Sequence, residues 1–193
     1  VRAIVLGGSA GAVEALSALL PVLPPMLRAP VLVVVHLPRD RRSLLVEIFG
    51  PKCPLRVVEA TDKEPLRDGT VYFAPPDYHL LVDAGPRIAL SVDEPVHFSR
   101  PSIDVLFESA ADAYGSTVAG VLLTGMGRDG ATGLKRIRNQ GGLTIGQDES
   151  TSAVYGMPAA AKSEDAVDLQ LPLPDISVAL HRLLTPVVDG GSE

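Results

Sequence analysis

Two stretches of this 193-residue chain carry apolar side chains on successive residues: Val31–Val35, and Val118–Leu123 within the longer run Thr117–Leu123. A strand with one wet face alternates apolar and polar residues. A strand covered on both faces does not, and its usual setting is a parallel sheet flanked by helices. Further β-rich runs of strand length lie at Arg2–Leu6, Leu55–Glu59, Leu143–Gln147 and Val167–Leu171, several of them separated by helix-length segments.

The helices are legible from spacing and end signals. Ala12–Leu20 places Val13, Leu16, Leu19 and Leu20 on one face. Ser102 reads as an N-cap ahead of Ile103, Leu106, Phe107, Ala110 and Ala111. Ala131–Gln140 stops at Gly141-Gly142, with Lys135, Arg136 and Arg138 toward its C-terminal end. Asp175–Leu184 reads as a last helix. Between residues 70 and 92 the rhythm breaks. Val71–Ala74, Tyr78–Asp83 and Arg87–Ser91 are short strand candidates joined by turn residues, read as an antiparallel meander. The expected fold is therefore α/β: a doubly wound, mainly parallel sheet flanked by helices, with that meander attached. Residues 1–186 are expected to form one domain and 187–193 a flexible tail. The chain starts at Val1, almost at once inside a strand, and is expected to be cut from something longer.

Composition narrows the function classes. Apolar residues are 46% and charged ones 21%, which favours a buried core over disorder. Lys plus Arg is 17 against 23 for Asp plus Glu, a net charge of −6, which disfavours a surface built to grip nucleic acid. One cysteine, Cys53, excludes an internal disulfide and multi-cysteine zinc clusters, and suits a cytoplasmic location. No apolar run nears the ~20 residues that span a bilayer.

Three strand ends carry chemistry. Gly7-Gly8-Ser9-Ala10-Gly11 leads from the first strand into the first helix and matches the G-x-S-x-G turn that presents a nucleophilic serine. A helix-capping serine in a glycine turn is the alternative. A dinucleotide site is disfavoured: the glycines fall at 7, 8 and 11, and His36 stands where the ribose-binding acid belongs. His36 closes the second apolar strand and qualifies as a general base, with a structural histidine as the alternative. Leu123–Ala131 follows another apolar strand. Its Asp129 suits either a cap of the helix that follows it or the acid that orients a catalytic histidine, and its glycines, Gly127 among them, let backbone amides approach an oxyanion. The order Ser9, His36, Asp129 differs from the α/β-hydrolase order, so another scaffold is required.

In these residues the chain resembles the catalytic domain of the CheB-type chemotaxis protein-glutamate methylesterases. The likeness rests on Gly7–Gly11, His36-Leu37-Pro38, Ser99–Phe107, Leu123–Ala131 and Thr144–Glu149 continuing through Val154–Pro158. It implies hydrolysis of glutamate γ-methyl esters on methyl-accepting receptors in the cytoplasm, with deamidation of receptor glutamines as a further activity, in a phosphorelay pathway. It implies Ser9 as nucleophile, His36 as base, Asp129 as orienting acid and the Met126 amide as oxyanion donor, with no metal or cofactor. Ala10 stands where some members carry Thr, and Ala12 where many carry Gly. The family's receiver domain has no room in this chain; it is expected as a partner in cis or trans. Arg100 and Arg128 are candidates for docking an acidic receptor, and Tyr155 for lining the cleft. A non-catalytic binding module and a nucleotide-dependent oxidoreductase are the competing classes.

Overall fold

The computed structural model describes residues 1–184 apart from 39 and 41; the expected tail, 187–193, lies outside the described residues. Its strands are β1 (Ala3–Gly8), β2 (Val31–Val35), β3 (Arg56–Glu59), β4 (Thr70–Phe73), β5 (His79–Asp83), β6 (Arg87–Ser91), β7 (Val118–Leu122), β8 (Leu143–Gln147) and β9 (Leu169–Leu171). Its α-helices are α1 (Ala12–Leu19), α2 (Leu45–Phe49), α3 (Ile103–Tyr114), α4 (Ala131–Asn139), α5 (Gly156–Ser163) and α6 (Leu173–Leu184).

Seven strands form one sheet in the order β3-β4-β2-β1-β7-β8-β9, every pair parallel. Strand pleating sorts the side chains. Ala3, Val5, Leu32, Val34 and Tyr72 enter the core shared with α3, α4 and α5. Ile4, Leu6, Val31, Val33, Val71 and Phe73 enter the opposite core, with α1, α2 and α6. Successive residues of β1 and β2 are thus both buried, which is why those strands read as unbroken apolar runs.

The expected meander needs one correction. Thr70–Phe73 is a fully buried member of the parallel sheet, between β3 and β2; the antiparallel part is the β5–β6 hairpin alone. Val71-Tyr72-Phe73 is apolar on successive residues, the same signal that marks Val31–Val35, and burial on both faces outweighs the turn residues nearby. The hairpin packs on α3 and adds Leu80, Val82 and Ile88 to the first core.

The chain leaves β1 for β2 on one side and later places β7 on the other. The crevice at such a reversal, beyond the carboxyl ends of the strands, is where open α/β sheets bind ligands. Here it lies between the ends of β1 and β7, with β2 alongside.

Candidate active site

Ser9 is the first residue after β1 and His36 the first after β2. The strands stay in register to Gly8↔Val35, and the His36 amide donates to Gly8 O at 3.1 Å, so the two residues sit side by side at adjacent strand ends. The Ser9 amide donates to Thr124 O at 3.0 Å, tying the turn to the end of β7. Gly11, at φ 82°, then opens α1, leaving the Ser9 turn at a helix N-terminus.

Thr124 joins three segments at this point. Its amide donates to Gln147 Oε1 at 2.8 Å, and its hydroxyl donates to Ala10 O at 2.9 Å and accepts from the Val154 amide at 2.9 Å. Gly125 follows in direct contact with Ser9: a Cβ there would stand 2.9 Å from Ser9 Cβ and would collide with Met157 Sδ. The Tyr155-Gly156-Met157-Pro158 motif therefore works chiefly by packing. Met157 is fully buried behind Gly125, and its amide donates to Gly125 O at 2.8 Å. Gly156 lets α5 start against the backbone of Met126 and Gly127. The Met126 amide has no hydrogen-bond partner among the described residues, and its side chain is exposed. Ala10 is likewise exposed.

Asp129 is 2% exposed and meets four donors. Its Oδ1 accepts from Ser102 Oγ at 2.8 Å and the Asp104 amide at 3.0 Å; its Oδ2 accepts from the Ile103 amide at 2.7 Å and faces His36 Nε2 at 2.8 Å. Burial works against the charge, but the His36 hydrogen bond and the two helix amides outweigh it and hold the carboxyl below its ordinary range. An ionised carboxylate only accepts, so the imidazole proton sits on Nε2 and the lone pair stays on Nδ1. No hydrogen bond joins the Ser9 hydroxyl to the imidazole among the described residues. Asp129 is thus the partner of His36, and the helix it caps is α3, not the α4 that follows it and that the sequence suggested; the first amides of α4 go to Asp104 instead.

The remaining candidates fall differently. Arg100 is committed to the protein itself: it donates to Asp77 Oδ1 at 3.0 Å and to the carbonyls of Val92 at 2.7 Å and Asp93 at 3.0 Å. That ties together the loops beside His36 and leaves little of the guanidinium for docking. Arg128 is exposed and paired with Glu164. The Tyr155 hydroxyl accepts from Gln170 Nε2 at 2.6 Å. His79 is buried: its Nδ1 accepts from the Ser102 amide at 3.1 Å and its Nε2 donates to Glu94 O at 3.1 Å. The roles of His79, Thr124 and Gln147 were not foreseen, because each depends on a partner far along the chain. His36, Leu37, Phe98, Ser99, Arg100 and Pro101 line a small cleft of about 70 Å³. Among the described residues no cluster of His, Cys, Asp and Glu could hold a metal, and no helix is long and apolar enough to cross a membrane.

Comparison with known proteins agrees with this architecture. The family model described as CheB methylesterase matches residues 4–180. A Leptospira interrogans protein, provisionally named a protein-glutamate methylesterase/protein-glutamine glutaminase, is 41% identical over 94% of this chain and 94% of its own length. The Anaeromyxobacter dehalogenans protein-glutamate methylesterase/protein-glutamine glutaminase 2 is 46% identical over 95% of this chain, which spans 53% of it. The crystal structure of the Thermotoga maritima CheB methylesterase catalytic domain superposes with a TM-score of 0.90 at 34% identity, over 94% of this chain and 98% of that one.

Proposed function

The chain belongs to the CheB methylesterase family, and from that premise we propose that it hydrolyses glutamate γ-methyl esters on methylated chemoreceptors, giving glutamate and methanol. Deamidation of receptor glutamines is the same acyl transfer with ammonia leaving. Ser9 is the nucleophile, His36 the base and Asp129 the acid that orients it. The observation that carries the reading is the His36 Nε2 to Asp129 Oδ2 bond of 2.8 Å at the strand end beside Ser9.

The chemistry follows from the atoms. His36 Nδ1 takes the Ser9 hydroxyl proton as Ser9 Oγ bonds to the ester carbonyl carbon. The carbonyl oxygen gains the negative charge, and the Met126 amide, without a partner among the described residues, and the N-terminus of α1 are the donors this reading assigns to it. The imidazolium is stabilised by ionised Asp129 and returns the proton to the departing methoxide. Water, deprotonated in turn by His36, then cleaves the glutamyl-serine ester. The cleft beside His36 is small, and Phe98 in its lining and Met126 outside it are exposed (97% and 73%), which suits a protein surface better than a small free metabolite.

Methanol release from methylated receptor tests this. Ser9→Ala should lower the rate by several orders of magnitude with unfolding behaviour unchanged, leaving the small residue that oxyanion donors and binding supply alone. An unchanged rate in folded Ser9→Ala protein refutes the assignment.

A further inference from the structure

The segment Ser102-Ile103-Asp104 belongs to none of the reacting groups, yet it surrounds Asp129. Helices α3 and α4 begin side by side, and each is capped by a carboxylate from the other's start. Asp129, just before α4, takes the amides of Ile103 and Asp104 in α3. Asp104, in α3, takes the amides of Gly130 at 3.0 Å and Gly133 at 2.7 Å at the start of α4. Each carboxylate also meets one histidine: Asp129 meets His36, and Asp104 Oδ2 lies 3.2 Å from His97 Nε2. The approach is close, since a Cβ on Gly133 would stand 2.9 Å from Asp104 O and 2.5 Å from Phe107 Cβ. Neither aspartate can shift without pulling amides off the other helix.

We propose that the Ser102–Asp104 turn is the positioning element of the His36–Asp129 pair: the Ser102 hydroxyl sets how much Asp129 charge is left for His36, and the Asp104 carboxylate adds a second buried negative charge behind it. This deepens the reading of Ser9, His36 and Asp129 as one site, and rests on it. The physical reason is competition for a lone pair. A donor on Oδ1 draws charge from the carboxylate and weakens its bond to His36 Nε2–H. A second anion nearby makes the carboxylate more basic and strengthens that bond. The charged and titratable groups facing Asp104 are Asp129, His97 and Glu108, and Arg136 in turn faces Glu108. Those facing Asp129 are His36, Asp104 and Glu108, with buried His79 behind Ser102.

The reporter is the His36 Nε2 proton, observed by NMR in the full chain with ¹⁵N-labelled histidine. Ser102→Ala removes one donor and should move that resonance downfield. Asp104→Asn keeps a carbonyl oxygen for the Gly130 and Gly133 amides but removes the charge, and should move it upfield. Ser102→Thr, which restores the hydroxyl, should return it to the wild-type position. On methylated receptor, Asp104→Asn should lower kcat roughly ten-fold with KM unchanged, because the imidazolium formed in the transition state loses one stabilising charge. Ser102→Ala carries the test alone in case Asp104→Asn does not fold. Opposite shifts support the proposal. An unmoved proton in folded Ser102→Ala protein, or shifts of the same sign in both variants, overturns it. A failure of the esterase reading looks different: methanol release survives Ser9→Ala while the proton shifts stand.

Discussion

Asp104→Asn should make the protein more stable at neutral pH relative to acid, and the size follows from the site. Burial, first of all, pushes the Asp104 carboxyl from its ordinary 3.8 up to about 6; the Gly133 amide and His97 oppose the rise, while Asp129 and Glu108 add to it. Between those values the folded chain keeps a proton that the unfolded chain has released. Stability therefore falls as pH rises through that window and stays lower above it. The span from 3.8 to about 6 corresponds to roughly 3 kcal/mol, of which ~2–3 separate measurements near pH 4 and near pH 7.5. Asparagine has no such titration. Urea unfolding of both proteins at those two pH values gives the check, because effects of the substitution that do not depend on pH cancel in the difference. The stability gap should move by ~2–3 kcal/mol in favour of the variant on going to neutral pH. A gap independent of pH, or one that moves the other way, refutes the reasoning. Asp129 does not confuse the result. Its carboxyl is held below the ordinary range, so its contribution is present above 3.8 and is lost only as pH falls further.

Three other outcomes follow from the same geometry. Asp129→Asn should lower kcat by ~10³–10⁴ and also cost stability: the new NH₂ is accommodated only if His36 Nε2 or the Ser102 hydroxyl turns from donor to acceptor, and at His36 that puts the proton on Nδ1, where the base is needed; steady-state kinetics and urea unfolding read the two effects. Gly125→Ala should destabilise by ~1–3 kcal/mol and cut kcat on the order of 10²-fold, since its methyl group meets Met157 Sδ and Ser9 Cβ and must displace the nucleophile; thermal melts and the methanol assay report both. Arg100→Gln should raise proteolytic sensitivity of the 92–100 loop while leaving KM for receptor close to wild type, because the guanidinium is bound to Asp77 and to loop carbonyls. A large selective rise in KM would return Arg100 to the docking surface.

How much of this was legible beforehand can be traced residue by residue. Val31–Val35 is a strand over the expected residues, because burial on both faces leaves a pattern no surface segment shares. Ser102 does cap α3, as the serine ahead of an apolar helical face suggested. Thr70–Phe73 was placed in the wrong sheet because four residues with turn signals on both sides leave strand direction open, and direction is decided by β3, 14 residues back, and β2, 40 residues back. Helices α2 and α5 were missed for local reasons. The first follows Leu44 with no capping side chain, and the second begins Gly-Met-Pro, where proline is tolerated in the first turn but spoils the pattern. At the candidate site, the sequence could place Ser9, His36 and Asp129 after three strands, and the structure brings His36 to Asp129 and sets Ser9 beside His36. The support around them could not. His79 reaches Ser102 from a hairpin, and Gln147 reaches Thr124 from a neighbouring strand. Such pairings exist only once the sheet has formed.

The most direct measurement of the central claim is covalent capture of the nucleophile. A fluorophosphonate reacts with a serine only when a base draws off its proton and amides accept the developing charge. Intact-mass and peptide spectrometry should find one adduct, on Ser9, and none in His36→Gln. A folded protein that takes no label, or takes it at another residue, would contradict the account.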